Sequence, residues 1–169
     1  MERIRHLASV TLLIILRLTI SAWVGAAILF VITSVAEQTA EPFDSLIRDQ
    51  LATIRFPHYY RYGFYSLGIT IGVGAMCFGL TSGCQRKRIL ATLVFTIASA
   101  AVAVYDYQNV YLPLQAAITP PGQARTQQFQ DLHRQSTQIN IIHLSLALIA
   151  AAVANSSPAS GKDDSCRIR

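Results

Sequence analysis

The sequence predicts an all-α integral membrane protein, a four-helix bundle with a short interfacial helix between its first two spans. Three observations predict it. Four long apolar segments (7–36, 57–80, 89–112 and 136–154) fill most of a 169-residue chain, and a spanning helix needs about 20 mostly apolar residues to cross roughly 30 Å of hydrocarbon. Hydrophobic residues make up 52% of the chain and charged residues only 14%, well under the quarter or so that is charged in soluble domains. The basic residues cluster at the ends of the apolar runs, where membrane orientation requires them. The net charge of +5 is thereby explained without nucleic acid. The partner this pattern demands is the lipid bilayer, with a second copy of the chain or another membrane protein as a further possibility. Residues 1–155 read as one four-helix transmembrane domain, and 156–169, with Ser, Pro, Gly and charges, as a disordered cytoplasmic tail.

The first segment begins like a signal peptide, with Arg3 and Arg5 ahead of it and Ser34-Val35-Ala36 as a small-residue site. Its apolar stretch of roughly 30 residues far exceeds the ~7–15 of a signal core, so it reads as a spanning helix. After Glu41-Pro42, where a helix can start, Phe43, Leu46, Ile47, Leu51 and Ile54 recur on one helical face. Asp44, Arg48, Asp49 and Gln50 lie elsewhere on it, as expected of a short helix in the interface. Phe56-Pro57 opens the second span, with Tyr59, Tyr60 and Tyr62 in the aromatic belt. The third span ends at Tyr105-Asp106-Tyr107-Gln108-Asn109-Val110-Tyr111-Leu112-Pro113, and Thr119-Pro120-Pro121-Gly122 breaks the chain. A glutamine-rich stretch leads into the fourth. Eight basic residues (Arg3, Arg5, Arg86, Lys87, Arg88, Lys162, Arg167, Arg169) fall on one side and five (Arg48, Arg55, Arg61, Arg125, Arg134) on the other. That bias places both termini in the cytoplasm, in the inner membrane if the host is bacterial.

Small residues one turn apart let helices approach closely in lipid. Ser21 and Gly25, Gly68 and Gly72, and Ala147 and Ala151 have that spacing and are expected at the seams of the bundle. The three cysteines (Cys77, Cys84, Cys166) have no metal-ligand spacing, and their odd, scattered count argues against a disulfide framework.

Polar residues inside the spans are expensive and therefore informative. Arg17 lies about 15 Å into the first span at 1.5 Å per residue. It must face a neighbour, line a wet cavity or snorkel, and the tilt of helical side chains toward the N-terminus favours snorkelling. Phe129, His133, Ser136 and Asn140 step by four, three and four along one stripe of the fourth helix, which His143 and Ala147 continue. Asp106 and Asn109 on the antiparallel third helix are expected to meet His133 and Ser136 near the outer surface. The cluster Asp106, Asn109, His133, Ser136 and Asn140 is the candidate site, either an interhelical hydrogen-bonded clasp or a ligand or ion site.

Trp23 and Gly25, Phe56-Pro57, Asn109 followed by Pro113, and Phe129-x3-His133-x2-Ser136-x3-Asn140 occur in that order. In this the chain resembles the transmembrane protein 205-like family, membrane proteins of unknown molecular function. The resemblance spans most of the chain from Trp23 to the end of the fourth helix, and it implies a four-helix membrane fold and no particular reaction. The third connection departs from it, being short and glutamine-rich where some relatives carry a longer charged insert.

Nothing in the sequence calls for a cofactor or a metal. No H-E-x-x-H, paired catalytic carboxylates or nucleotide-binding glycine loop is present, which argues against an enzyme. A non-enzymatic membrane or partner-organising protein is the first expectation. A small transporter or channel-like protein, acting as an oligomer with a polar path near the outer leaflet, is the alternative.

Overall fold

The four apolar segments form four long rods, seen here in a computed structural model that describes residues 2–156. In chain order these are α1 (Glu2–Thr39), α2 (Ser45–Leu80), α3 (Gly83–Asp106), a π-helical turn (Tyr107–Tyr111), α4 (Leu112–Ala117) and α5 (Gln127–Asn155). The segments from α3 to α4 join into one rod, so four helical stretches are long and apolar enough to cross a membrane. The protein is an all-α, multi-pass bundle. Beyond Ser156, the expected disordered tail lies outside the described residues. α3 packs along α5 and α1 along α2, while α2–α3 and α1–α5 contacts close the ring.

The division between lipid and core follows helical periodicity. Ile14, Leu18, Leu29, Ile69, Val94, Ile97 and Leu148 point outward, while Leu16, Ile20, Trp23, Ala27, Leu67, Ala147 and Ala150 are buried. Thr70, Thr92 and Thr96 sit in the same interior and donate to carbonyls one turn back, at 2.7, 3.0 and 2.8 Å. Such local bonds satisfy hydroxyls that lipid cannot.

Two prolines lie within helical rods that the sequence reading ended at them. The stretch read as a separate interfacial helix is the first turns of α2, capped by Asp44, whose Oδ1 accepts from the Ile47 amide at 2.9 Å. α2 continues through Pro57, although proline disfavours helix for the residue before it. Side-chain clasps hold the turns of the helix that lead up to that point. Asp49 binds the third connection. Arg55 pairs with Glu37, donates to Thr33 Oγ1 at 2.7 Å and lies over the Phe30 ring. Pro113 cannot donate to the carbonyl one turn back. The rod passes it by widening into the π turn, in which the Leu112 amide donates to the Tyr107 carbonyl. It then restarts as α4 with Pro113 in its first turn, where no N–H is needed.

The seams differ from the spacing-based expectation. Ala147 and Ala151 are buried as expected, but a Cβ added at Gly25, Gly68 or Gly72 would meet nothing within 4 Å. Those glycines face outward. The close approaches are at Gly63, where Trp23 packs, and at Gly74, against Leu93 and Leu16. Tyr59 and Tyr60 are core residues rather than belt residues, while Tyr62 is exposed. Cys77 is a buried free thiol.

Arg17 faces a neighbouring helix. Its Nε donates to the Ala154 carbonyl at 2.9 Å, and Arg88 reaches the Val153 and Ala154 carbonyls at 3.5 Å. Two guanidinium groups thus close the negative end of α5, where free carbonyls and the helix dipole favour cations. Asn155 adds a bond to Ser21 Oγ at 3.1 Å. α5 therefore ends level with Arg17, and the first four turns of α1 run past that end.

Candidate functional site

Asp106 closes α3 and turns its carboxylate inward, at 2% exposure. Oδ2 accepts from the Tyr60 hydroxyl at 2.5 Å, and Ser136 of α5 lies beside the carboxyl. Oδ1 has no hydrogen-bond partner. Asn140, one turn from Ser136, donates to its carbonyl at 3.1 Å and its Oγ at 3.4 Å, and accepts a long contact of 3.5 Å from the Tyr59 hydroxyl. Asp106, Ser136 and Asn140 thus come together, with Tyr59 and Tyr60 of α2 completing the group.

Two expected members stand apart. Asn109 is exposed and donates to the Tyr105 carbonyl of its own rod. The wider π turn that begins after Asp106 rotates it off the face it would share in a regular helix. His133 is exposed and stacks on Phe129 with ring centroids 6.0 Å apart. The histidine that reaches the interior is His143, nearly three turns further along the same stripe. It is 3% exposed, its Nδ1 lies 2.9 Å from the Ser99 carbonyl and hydroxyl oxygens, and its ring is 5.6 Å from Trp23. The stripe beginning at Phe129 contained that signal, though not its partners.

Beside this node lies a cleft of about 450 Å³, lined by both α1 and α5 and floored by α2, the π turn and α4. α1 and α5 touch at Arg17–Ala154, Ser21–Asn155 and Trp23–His143. The cleft opens beyond, toward the end opposite the chain termini. Its lining is mixed. Phe30, Val31, Phe56, Ile141 and Leu144 lie toward the Trp23 end with Tyr59, Ser136 and Asn140, while the charged pair Asp49 and Arg125 lies with Gln38, Thr39 and His133 toward the far end, among Val35, Ile118 and Phe129. Tyr111 also lines it, and its hydroxyl, on a residue 5% exposed, has no partner.

Asp49 is the residue that periodicity misassigned. Placed on a solvated face by its charge, it is 1% exposed, paired with Arg125, and accepts from the Gly122 amide at 2.9 Å. Arg125 also covers the Phe129 ring at 4.2 Å. Charge alone cannot tell a solvated acid from one holding a loop, because the arginine that pairs with it lies 76 residues away.

Of the residues carrying the family resemblance, Phe56, Phe129, His133, Ser136 and Asn140 line the cleft, and Trp23 lines a smaller cavity beside it. Gly25, Pro57 and Pro113 are exposed. Among the described residues no group of three His, Cys, Asp or Glu is placed to hold a metal ion. No family model, curated protein or solved structure matches the chain.

Proposed function

We propose that this is a non-enzymatic, multi-pass membrane protein that holds a single-tailed, uncharged amphiphile in the cleft between α1 and α5. The observation that carries the reading is a large, mostly apolar cleft whose charged residues, Asp49 and Arg125, gather at one end. A ligand with its tail among Phe30, Phe56, Ile141 and Leu144 and its head among Gln38, Thr39 and His133 would lie as a lipid does in its own leaflet. The volume is within the range of small-molecule sites, about 300–1,000 Å³. The charges at the mouth are already paired, Asp49 with Arg125 and, alongside on α1, Glu37 with Arg55, so hydroxyl and amide groups remain for the head. The unpartnered Tyr111 hydroxyl supplies a further donor. Both termini in the cytoplasm, as the basic residues argue, would put the mouth in the outer leaflet. The resemblance to the transmembrane protein 205-like family fits this reading, since half of the residues that carry it, including all four of the fourth-helix motif, line the cleft.

Transport through one chain draws no support from the interior, which is packed with Leu16, Ile20, Leu67, Ala147 and Ala150 beyond Trp23. The test uses the single tryptophan, which packs against Tyr59 on the cleft floor. In nanodiscs, a dibrominated monoacylglycerol at low mole fraction should quench Trp23 saturably. Ser34→Phe, which fills the cleft, should weaken this by about tenfold or more, the equivalent of about 1.4 kcal/mol. Quenching that rises linearly with mole fraction and ignores Ser34→Phe would refute the proposal.

A further inference from the structure

Between Trp23, Asp106 and His143 lies a separate cavity of about 10 Å³, also bordered by Tyr59, Tyr60 and Asn140. It is about the size of one water. Two of the residues around it carry a polar atom without a partner, the Trp23 indole Nε1–H and Asp106 Oδ1, and those residues are 1% and 2% exposed. A third follows from His143. With Nδ1 engaged by Ser99, the carbonyl there requires a proton on Nδ1, and Nε2 is left as an acceptor.

We propose that this cavity holds one buried water that links Asp106 to His143 and makes them a proton-sharing pair inside the membrane domain. The water accepts from Trp23 Nε1–H and donates to His143 Nε2 and Asp106 Oδ1, or accepts from Oδ1 when the acid is protonated. About three bonds is the usual complement of a buried water, and here it satisfies the groups the protein leaves bare. One proton belongs to the site. Held on Asp106, it leaves both side chains neutral; passed through the water to Nε2, it leaves a carboxylate and an imidazolium, with charge conserved.

The surroundings favour such a pair. Asp106 interacts with Tyr59 and Tyr60 from α2 and Ser136 from α5 and shares the cavity with Asn140 and His143 from α5 and Trp23 from α1, while Tyr107 and Tyr111 of the π turn pack on the Tyr60 ring. No lysine or arginine is in that set, and neither ion pair among the described residues involves Asp106. A lone buried charge is costly in such a setting, whereas a shared proton keeps the pair neutral overall. Tyr59 and Asn140 line both this cavity and the cleft, so their long 3.5 Å contact is the partition between the pair and the cleft. This site stands on its own geometry and does not require the cleft to bind anything.

The single tryptophan again gives a clean probe, because the protein has one indole N–H resonance. In ¹⁵N-labelled protein in detergent or nanodiscs, that resonance should show a magnetisation-transfer cross-peak to water. It should also shift in a step across about pH 4 to 9, the range in which acids and histidines titrate. Asp106→Asn and His143→Gln should each abolish or displace that step, and Ala103→Val, which fills the cavity, should remove the cross-peak. A wild-type spectrum with no water cross-peak overturns the hydration site. A step unchanged in both Asp106→Asn and His143→Gln, or no step at all, overturns the shared proton. If the variants fail to fold, the wild-type cross-peak and titration still decide the matter.

Discussion

Replacing Gly63 by alanine tests the core packing directly. A Cβ there would lie 2.6 Å from Trp23 Cη2, 3.0 Å from Cζ3 and 3.1 Å from Cζ2, where carbon atoms normally rest about 3.5–4.0 Å apart. The indole cannot retreat easily. It is 1% exposed and wedged against Tyr59, Tyr62 and His143 at ring separations of 5.3, 6.1 and 5.6 Å. Overpacking of this kind costs about 1–3 kcal/mol. Removing a helical glycine returns up to about 1 kcal/mol, so Gly63→Ala should be destabilising by up to about 2 kcal/mol. Gly72→Ala is the matched control, because its Cβ meets nothing within 4 Å; it should be neutral or slightly stabilising. Reversible unfolding in mixed micelles, followed by Trp23 emission, reads both. Gly63→Ala unfolding at or above the wild-type midpoint with unchanged emission would refute the packing of Trp23 against α2.

Other consequences are as specific. Arg17→Ala should lower stability by about 1.5–3 kcal/mol, the range for hydrogen bonds to charged groups, and speed amide exchange in the last turn of α5. Arg17→Lys should restore little, because the bond comes from Nε. Asp49→Asn should loosen the third connection, measured as greater mobility of a spin label at Gln123, since the pair with Arg125 is lost; an unchanged spectrum would mean that Asp49 does not anchor it. His133→Asn should barely change stability, because His133 is exposed and stacks only on Phe129. In a background lacking the native cysteines, a thiol at Gly122 should react with an impermeant reagent on intact cells and one at Lys87 should not; the reverse pattern would invert the topology.

The four rods were legible because a 20-residue apolar run permits few alternatives, and the stripe from Phe129 to Ala147 was legible because α5 is regular throughout. What escaped the sequence depends on the other side of each contact. Pro57 and Pro113 looked like boundaries, since a proline's local cost is visible and the clasps through Asp49 and Arg55 are not. Asn109 shares a face with Asp106 only in a regular helix, and the π turn that precedes Pro113 removes it. Gly25, Gly68 and Gly72 have the spacing of a seam, yet spacing does not say which side of a helix meets another. Arg17 looked stranded because the level of a span is set by where its neighbours end, and α5 ends at Ala154 beside it. The cleft was invisible altogether, being formed by the separation of α1 from α5 beyond Trp23.

The central claim is that the cleft binds one amphiphile, and the most direct measurement is stoichiometric. Tritiated monoacylglycerol titrated against purified protein in nanodiscs should saturate at about one molecule per chain, the single-site limit. Binding should be lost in Ala52→Phe, on the cleft floor, and kept in Ala75→Phe, on the outward side of α2. Non-saturable uptake that is the same in wild type, Ala52→Phe and Ala75→Phe would contradict it.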